Sequence, residues 1–321
     1  MPVLKYLLAL SALVLLSVAS VLIGVSDLSL SGLFSGSDAM ARLVLVEVRT
    51  PRTLALVFAG AGMAVCGTIM QMLARNRFVE PSTAGTVESA SLGILVVLLL
   101  APGLPVYMKM LVATVFALAG TGLFLLILTR IPLRSPLMVP LVGIMLGGII
   151  SAVTTFLAYR YDMLQSLGAW TTGDFSAVLR GRYELLWLSL GLTALAYAAA
   201  DRFTVIGMGE AFATNLGVDY AKVVALGLVI VSMVTAAVVV TVGMVPFLGL
   251  IVPNVVAMAM GDRLRRSLPW IAICGAGLVL VCDMIGRLVI APFEIPVGTV
   301  LGMVGSVFFL YLVLRRRSRA A

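Results

Sequence analysis

Apolar residues fill this chain in long unbroken blocks, such as 92–101 and 223–242, and charges interrupt them only at intervals. A β-barrel would show short segments that alternate apolar and polar, and these blocks do not alternate. A membrane-spanning helix needs about 20 predominantly apolar residues. On that measure ten spans are predicted. They lie near residues 5–24, from just after Arg52 to Leu73, and near 84–101, 109–129, 137–158, 184–200, 222–242, 247–260, 268–290 and 297–314. A polar stretch from Arg160 to Arg182 separates the fifth from the sixth. The apolar core of the first exceeds the 7–15 residues of a signal peptide, so it is read as a span.

One segment breaks the pattern. TVGMVPFLGLIVPNVVAMAMGDRLRR, from Thr241 to Arg266, starts as a span, meets Pro246 and Pro253, and ends in basic residues. Proline removes a backbone donor and clashes with the preceding turn, so no continuous helix is expected there. Broken backbone at membrane depth is tolerated where protein buries it or where it lines a cavity. A broken span among many intact ones points to a transport pathway rather than a passive anchor.

Composition sharpens the class. The chain has 321 residues, 62% hydrophobic and 11% charged, with a mean hydropathy of +1.17. Soluble domains are about 45–50% apolar and about 25% charged. The fold is therefore read as all-α and polytopic, one transmembrane domain over 1–321. The polar segments, about 20–28 residues at most, fall short of the 50 or more of a typical soluble domain. The net charge of +8 would fit a nucleic-acid partner, but its placement argues against one. With the N-terminus inside, fourteen of the 22 basic residues fall in inner loops or tails, among them Arg75, Arg77, Arg130, Arg134, Arg263, Arg265, Arg266, Arg317 and Arg319. The positive-inside rule accounts for that bias and puts both termini in the cytoplasm.

The chemistry available is narrow. There is no histidine, which removes His-based catalysis and His metal sites. Cys66, Cys274 and Cys282 sit in apolar runs with no metal-ligand spacing and read as small buried hydrophobes. No serine or cysteine has an evident base, so no catalytic residue, metal site or cofactor is predicted. No Walker A pattern occurs; energy must come from an ion gradient or from a separate ATPase. An ion-coupled transporter needs intramembrane carboxylates. Of 14 acidic residues, only Asp283 falls well inside a predicted span; Glu80 and Glu88 flank the inner start of the third. Asp283 precedes Arg287 by one helical turn, the spacing of a structural ion pair. Glu80 precedes Pro81 in a helix-entry pattern and reads as a capping or loop residue. An external ATPase is thus favoured. Gly143 with Gly147, and Gly298 with Gly302, give the small-residue spacing of close helix packing, although 31 glycines produce such pairs by chance as easily.

Several motifs resemble those of a known family in order and spacing. VEVRTPRTLALVFAGAGMAVCGTIMQMLARNRFVEPSTAG (Val46 to Gly85), IGMGEAFATNLGV (Ile206 to Val218), VPFLGLIVPN, and CDMIGRLVIAPFEIPVGTVLGMVGSVFFLYLVLRRR resemble the permeases of ABC importers for iron–siderophores, haem and vitamin B12, the FecCD or BtuC-like family. The resemblance covers nearly the whole chain. It implies a BtuC-like type II permease of about ten helices, paired with a second permease as a homo- or heterodimer. ABC ATPase subunits would lie beneath the pair, and a periplasmic or lipid-anchored binding protein would deliver the cargo to a bacterial inner membrane. Two departures stand out. Asn254 replaces the histidine many members carry after "V-P". Asn76 to Pro81 reads N-R-F-V-E-P where the family pattern is N-P-L-A-x-P. Both resemble the subgroup serving ferric catecholates and related siderophores; haem or cobalamin import on the same fold is the alternative, and an ion-coupled transporter is the more distant one.

The resemblance also assigns sites. Arg49, Arg52 and Arg287 match arginines that meet carboxylates of the binding protein, a task that suits the planar guanidinium. Membrane-end anchoring is the plainer reading of Arg49 and Arg52, and pairing with Asp283 competes for Arg287. Met208 to Asp219 matches the cytoplasmic loop that couples to the ATPase. Within it Glu210 and Ala211 to Leu216 are expected to form a short helix stopped by Gly217, which makes Gly209, Glu210, Ala211, Thr214, Asn215, Leu216 and Gly217 coupling candidates. The path should be lined from the fifth, eighth and tenth spans, with Met145, Thr154, Thr155, Asn254 and Thr299 as candidates. Each serves equally well as a packing residue.

Overall fold

The computed structural model describes residues 2–23, 39–131, 138–261 and 263–317. Arg134 and Arg319, counted above in the inner charge, lie outside the described residues. The helices are α1 (Pro2–Leu22), α2 (Ala39–Val44), α3 (Thr50–Leu73), α4 (Thr86–Leu100), α5 (Val106–Arg130), α6 (Met138–Arg160), α7 (Leu164–Thr171) and α8 (Leu186–Ala198). They continue with α9 (Ala200–Ile206), α10 (Glu210–Asn215), α11 (Tyr220–Val242), α12 (Leu248–Met260), α13 (Leu264–Val289) and α14 (Val297–Arg317). By length and composition six helical stretches can cross a membrane, and α4, α8, α12 and α14 are shorter apolar helices. Together they follow the ten predicted spans in order.

α3 is the axis of the bundle. It packs against α1, α8, α11, α12 and α13, and nearly all of its residues are buried. Small residues make this possible. A Cβ on Gly67 would lie 2.2 Å from the Gly249 Cα of α12. At the other crossing, a Cβ on Gly60 would lie 2.8 Å from the Ala276 Cα of α13. In lipid the attraction between helices comes from close packing rather than from water exclusion, so such contacts hold the bundle. Of the glycine pairs noted in the sequence, Gly143 abuts the Thr83 carbonyl and Gly147 faces Glu88. Gly298 abuts the Thr172 carbonyl, whereas a Cβ on Gly302 would meet nothing within 4 Å among the described residues.

Two sequence expectations change. The second span does not begin after Arg52. A continuous helical stretch runs from Met40 to Leu73, with a π-turn at Leu45–Arg49. Pro51 is the physical reason for the irregularity. It has no N–H to give the Glu47 carbonyl, and that carbonyl accepts from the Arg180 amide at 3.1 Å instead. Arg180 also bonds the Glu47 carboxylate at 3.0 Å. Pro253, expected to break the eighth span, lies inside α12. The carbonyl it leaves without a partner is that of Gly249, which accepts from the Gln71 side-chain amide at 3.1 Å. The break is confined to Gly243–Phe247, around Pro246.

α1 lies against α13 and α3 and is fastened at both ends. At one end the Tyr6 hydroxyl donates to the Arg266 carbonyl at 3.1 Å, and its ring stacks on Trp270. At the other, helix-end carbonyls without intrahelical partners accept from arginines. Arg49 bonds the Val21 and Leu22 oxygens, each at 3.1 Å. Arg287 bonds those of Ser20 and Ile23 at 2.9 and 2.7 Å.

Candidate functional site

The broken span and the loop after α3 are built as one unit. A half-helix that starts inside a membrane exposes amides no water can satisfy. The Glu80 carboxylate meets this need at the start of α12. It accepts from the Phe247 N–H at 2.7 Å, and a Cβ on Gly249 would lie 3.1 Å from its other oxygen. Negative charge belongs at a helix N-terminus, where the peptide dipoles leave positive charge. Glu80 also accepts from the Ser82 hydroxyl and closes a reciprocal cap with Thr83 around the short turn Pro81–Thr83. The capping role read from the sequence is found, and its larger part is to a helix far away in the chain.

Two further links run in parallel. The Asn254 amide donates to the Arg77 carbonyl at 2.8 Å and to the Leu250 carbonyl at 2.7 Å, and the Gln71 amide reaches Gly249 as described. The two motifs in which the chain departs from the family pattern, Asn76–Pro81 and Val245–Asn254, are therefore physical partners. Phe247 takes the left-handed conformation, φ +61°, which is rare for a bulky residue. Its side chain fills the space left by Gly305 of α14, where a Cβ would come within 2.3 Å of the Phe247 Cβ.

Beside this break lies a cavity of about 340 Å³. α4 contributes Glu88 and Ser91, α6 contributes Ser151, Thr154 and Thr155, α7 contributes Leu164, Leu167, Gly168 and Thr171, and Met244 of the broken segment closes it. Of the five path candidates, the structure brings Thr154 and Thr155 together here. Met145 and Thr299 are exposed on α6 and α14. Asn254 is buried, and its amide bonds the Arg77 and Leu250 carbonyls. Glu88 was missed, because the apolar run put it at the inner edge of the third span. α4 has only 15 residues, and a Cβ on Gly147, well along α6, would lie 3.3 Å from the Glu88 carboxyl carbon. The hydrophobic tally alone could not show that the 74–85 segment enters the bundle first.

Two of the three expected docking arginines, Arg52 and Arg287, converge on Asp283, whose side chain is fully buried, while Arg49 bonds the end of α1. Arg52 pairs with it at 2.7 Å and with the half-exposed Glu294 at 2.8 Å. Arg287 pairs with it across one helical turn and bonds the Ser20 hydroxyl at 2.7 Å. The i, i+4 pair read from the sequence is present. Arg49 and Arg287 are buried. In this conformation their guanidiniums hold α1, α3 and α13 together.

The segment from Met208 to Asp219 has the expected shape. α10 spans Glu210–Asn215, and Gly209 precedes it at φ +113°. Gly217, at φ +72°, stops it. Its amide bonds the Thr214 carbonyl and that of Val218 bonds the Ala213 carbonyl, the paired bonds of a Schellman end. Met208, Phe212 and Leu216 recur every four residues and are exposed. Asp219 then caps α11 by accepting from the Lys222 amide at 3.1 Å, and its bond to the Lys222 ammonium holds the carboxyl below its usual range.

Comparison with known proteins gives this architecture its family. The FecCD transport family profile matches residues 7–315. The chain belongs to the FecCD transport family. It is 51% identical over 317 residues to the petrobactin import system permease protein YclN of Bacillus subtilis, covering 99% of each. It is 44% identical over 275 residues to the ferric-anguibactin transport system permease protein FatD of Vibrio anguillarum, covering 86% of this chain and 88% of that one. Among solved structures it matches an inward-facing metal-chelate type ABC transporter with a TM-score of 0.81 and 25% identity, over 97% of this chain and 99% of that one. The family member is a multi-pass membrane protein with an ABC permease fold.

Proposed function

We propose that this chain is the membrane-spanning permease subunit of an ATP-driven importer that carries a ferric siderophore, with a catecholate type favoured, across the bacterial inner membrane. The observation that carries the reading is the broken span at Gly243–Phe247, capped by Glu80 and bordering the hydroxyl-lined cavity, in a chain of this family. The names of the relatives described above support a siderophore cargo.

The partners follow from the surfaces. Met208, Phe212 and Leu216 present an apolar stripe on the segment that resembles the family's coupling loop, which supports a separate ATPase subunit there with Gly209 to Gly217 in the contact. The exposed apolar faces of α6 and α14, including Met145, Ile149, Met303 and Val307, support a second permease alongside. The docking role of Arg49, Arg52 and Arg287 rests on the resemblance. Of the three, Arg52 lies nearest the rim, through Glu294. Both termini are placed in the cytoplasm by the inner-loop charge bias.

Growth of a deletion strain on iron supplied by single siderophores tests the cargo. Loss of growth on a ferric catecholate, restored by this gene, is the expected result. A strain that loses haem or cobalamin uptake instead would overturn it.

A further inference from the structure

Glu88 is out of keeping with the rest of the bundle's acids. Asp283 has two arginines, and Glu80 has the Phe247 amide at the start of α12. The Glu88 Oε2 atom is buried and has no hydrogen-bond partner among the described residues, yet it belongs to the wall of the cavity beside the broken span. An ionised carboxylate without a partner at membrane depth is strongly disfavoured. No lysine or arginine lines that cavity.

The remaining polar wall is of one kind. It consists of the hydroxyls of Ser91, Ser151, Thr154, Thr155 and Thr171. A hydroxyl has one proton to give and two lone pairs to offer. The Thr154 proton goes to the Ile150 carbonyl at 2.8 Å, and the Thr171 proton goes to the Gly168 carbonyl at 3.0 Å. Both oxygens are left as acceptors. The cavity thus gathers one acid group and acceptor oxygens, with no cation of its own.

We propose that this cavity binds a monovalent cationic group, with Glu88 as its counter-ion and the threonine oxygens as its hydrogen-bonding or coordinating shell. One carboxylate neutralises one positive charge, and hydroxyl with carboxylate oxygen is a donor set for hard ions and ammonium groups rather than for soft metals. The shared chemistry is that of a small oxygen-seeking monocation. Its source is either an alkali ion from solution or a protonated amine on the cargo. The inference deepens the transport reading above, since the site borders the proposed path.

The test is a thermal unfolding scan of the purified transporter, assembled with its ATPase in nanodiscs. The scan is run in chloride salts of sodium, potassium, ethylammonium and tetrabutylammonium at equal ionic strength. A ligand that binds the folded state raises Tm with its concentration. We expect a concentration-dependent rise in Tm with one of the three small cations relative to tetrabutylammonium. Glu88→Gln should abolish that rise, and Thr154→Val should weaken apparent affinity at least tenfold. A response to sodium or potassium assigns an alkali-ion site, and a response to ethylammonium assigns an amine site. Equal Tm in all four salts for the wild type would overturn the proposal, as would an undiminished rise in both variants. If Glu88→Gln does not fold, Thr154→Val and Ser91→Ala carry the same comparison. Failure of the transport reading shows up separately, as absent ferric-chelate uptake by a transporter whose Tm still responds to the cation.

Discussion

The carboxylate of Glu80 accepts the backbone N–H of Phe247 at 2.7 Å, across 167 residues of chain. One side chain thereby satisfies the start of a half-helix that the membrane cannot. Glu80→Ala should leave at least one buried amide unpaired, a loss of about 1–3 kcal/mol. Glu80→Gln, which keeps an acceptor oxygen, should lose less. Midpoints of thermal unfolding for the purified permease check the order, wild type above Gln above Ala.

Removing Asp283 strands Arg287 and leaves Arg52 with Glu294 alone. Breaking a buried ion pair by deleting one partner costs about 3–5 kcal/mol, so Asp283→Ala should sharply lower both Tm and the amount of inserted protein. Arg287→Glu should do the same by placing like charges one turn apart. If instead Arg287→Glu kept the wild-type Tm and lost affinity for the loaded binding protein in a titration, docking would be its main task.

Gly67 lies against the backbone of Gly249, so even a methyl group has no room. Gly67→Ala should destabilise the bundle by about 1–3 kcal/mol, the usual cost of overpacking. Gly302→Ala, whose Cβ would meet nothing within 4 Å among the described residues, should leave the unfolding midpoint of the isolated chain unchanged. Parallel melts of the two variants make the comparison.

Replacing Met208 to Leu216 with a Gly/Ser linker should leave insertion intact and abolish ATP-driven uptake in proteoliposomes. Phe212→Asp is the milder version and should weaken co-purification of the ATPase. Uptake that continues with the linker, or that follows a proton gradient with an inactive ATPase, would reject the coupling role.

A cysteine placed beside Arg317 should react with an impermeant reagent only from the cytoplasmic face. Labelling from outside intact cells would invert the topology.

Much of this was legible in the chain because membrane helices announce themselves locally. Each apolar block became a helix, and Gly217 stopped α10 as its conformational freedom suggests. Asp283 and Arg287 lay one turn apart, so their pairing could be read directly. What could not be read depended on residues far apart. Arg52 looked like a free charge at a helix end because its partner Asp283 is 231 residues away. Pro253 looked like a helix breaker because Gln71, which repairs its lost bond, is 178 residues from Gly249. Glu88 looked peripheral because the depth of α4 is set by the 74–85 segment packed beneath it. An unpaired buried acid gives no local signal at all.

The fastening of α1 at both ends also has a meaning in time. Arg287 grips Ile23 across 264 residues, and Tyr6 meets Arg266 across 260. At about 5–20 residues per second of synthesis, the first helix enters the bilayer roughly 10–50 s before these two distant anchors exist. Until then Arg49, only 27 residues beyond Leu22, is the arginine at hand for its end. Its apolar, largely unburied surface suits that wait, and its Ser20 and Ile23 carbonyls are completed only when Arg287 arrives. A chain truncated just before Arg287 should therefore still insert its first helix but hold the end at Ser20–Ile23 through Arg49 alone, leaving that end more open to proteases.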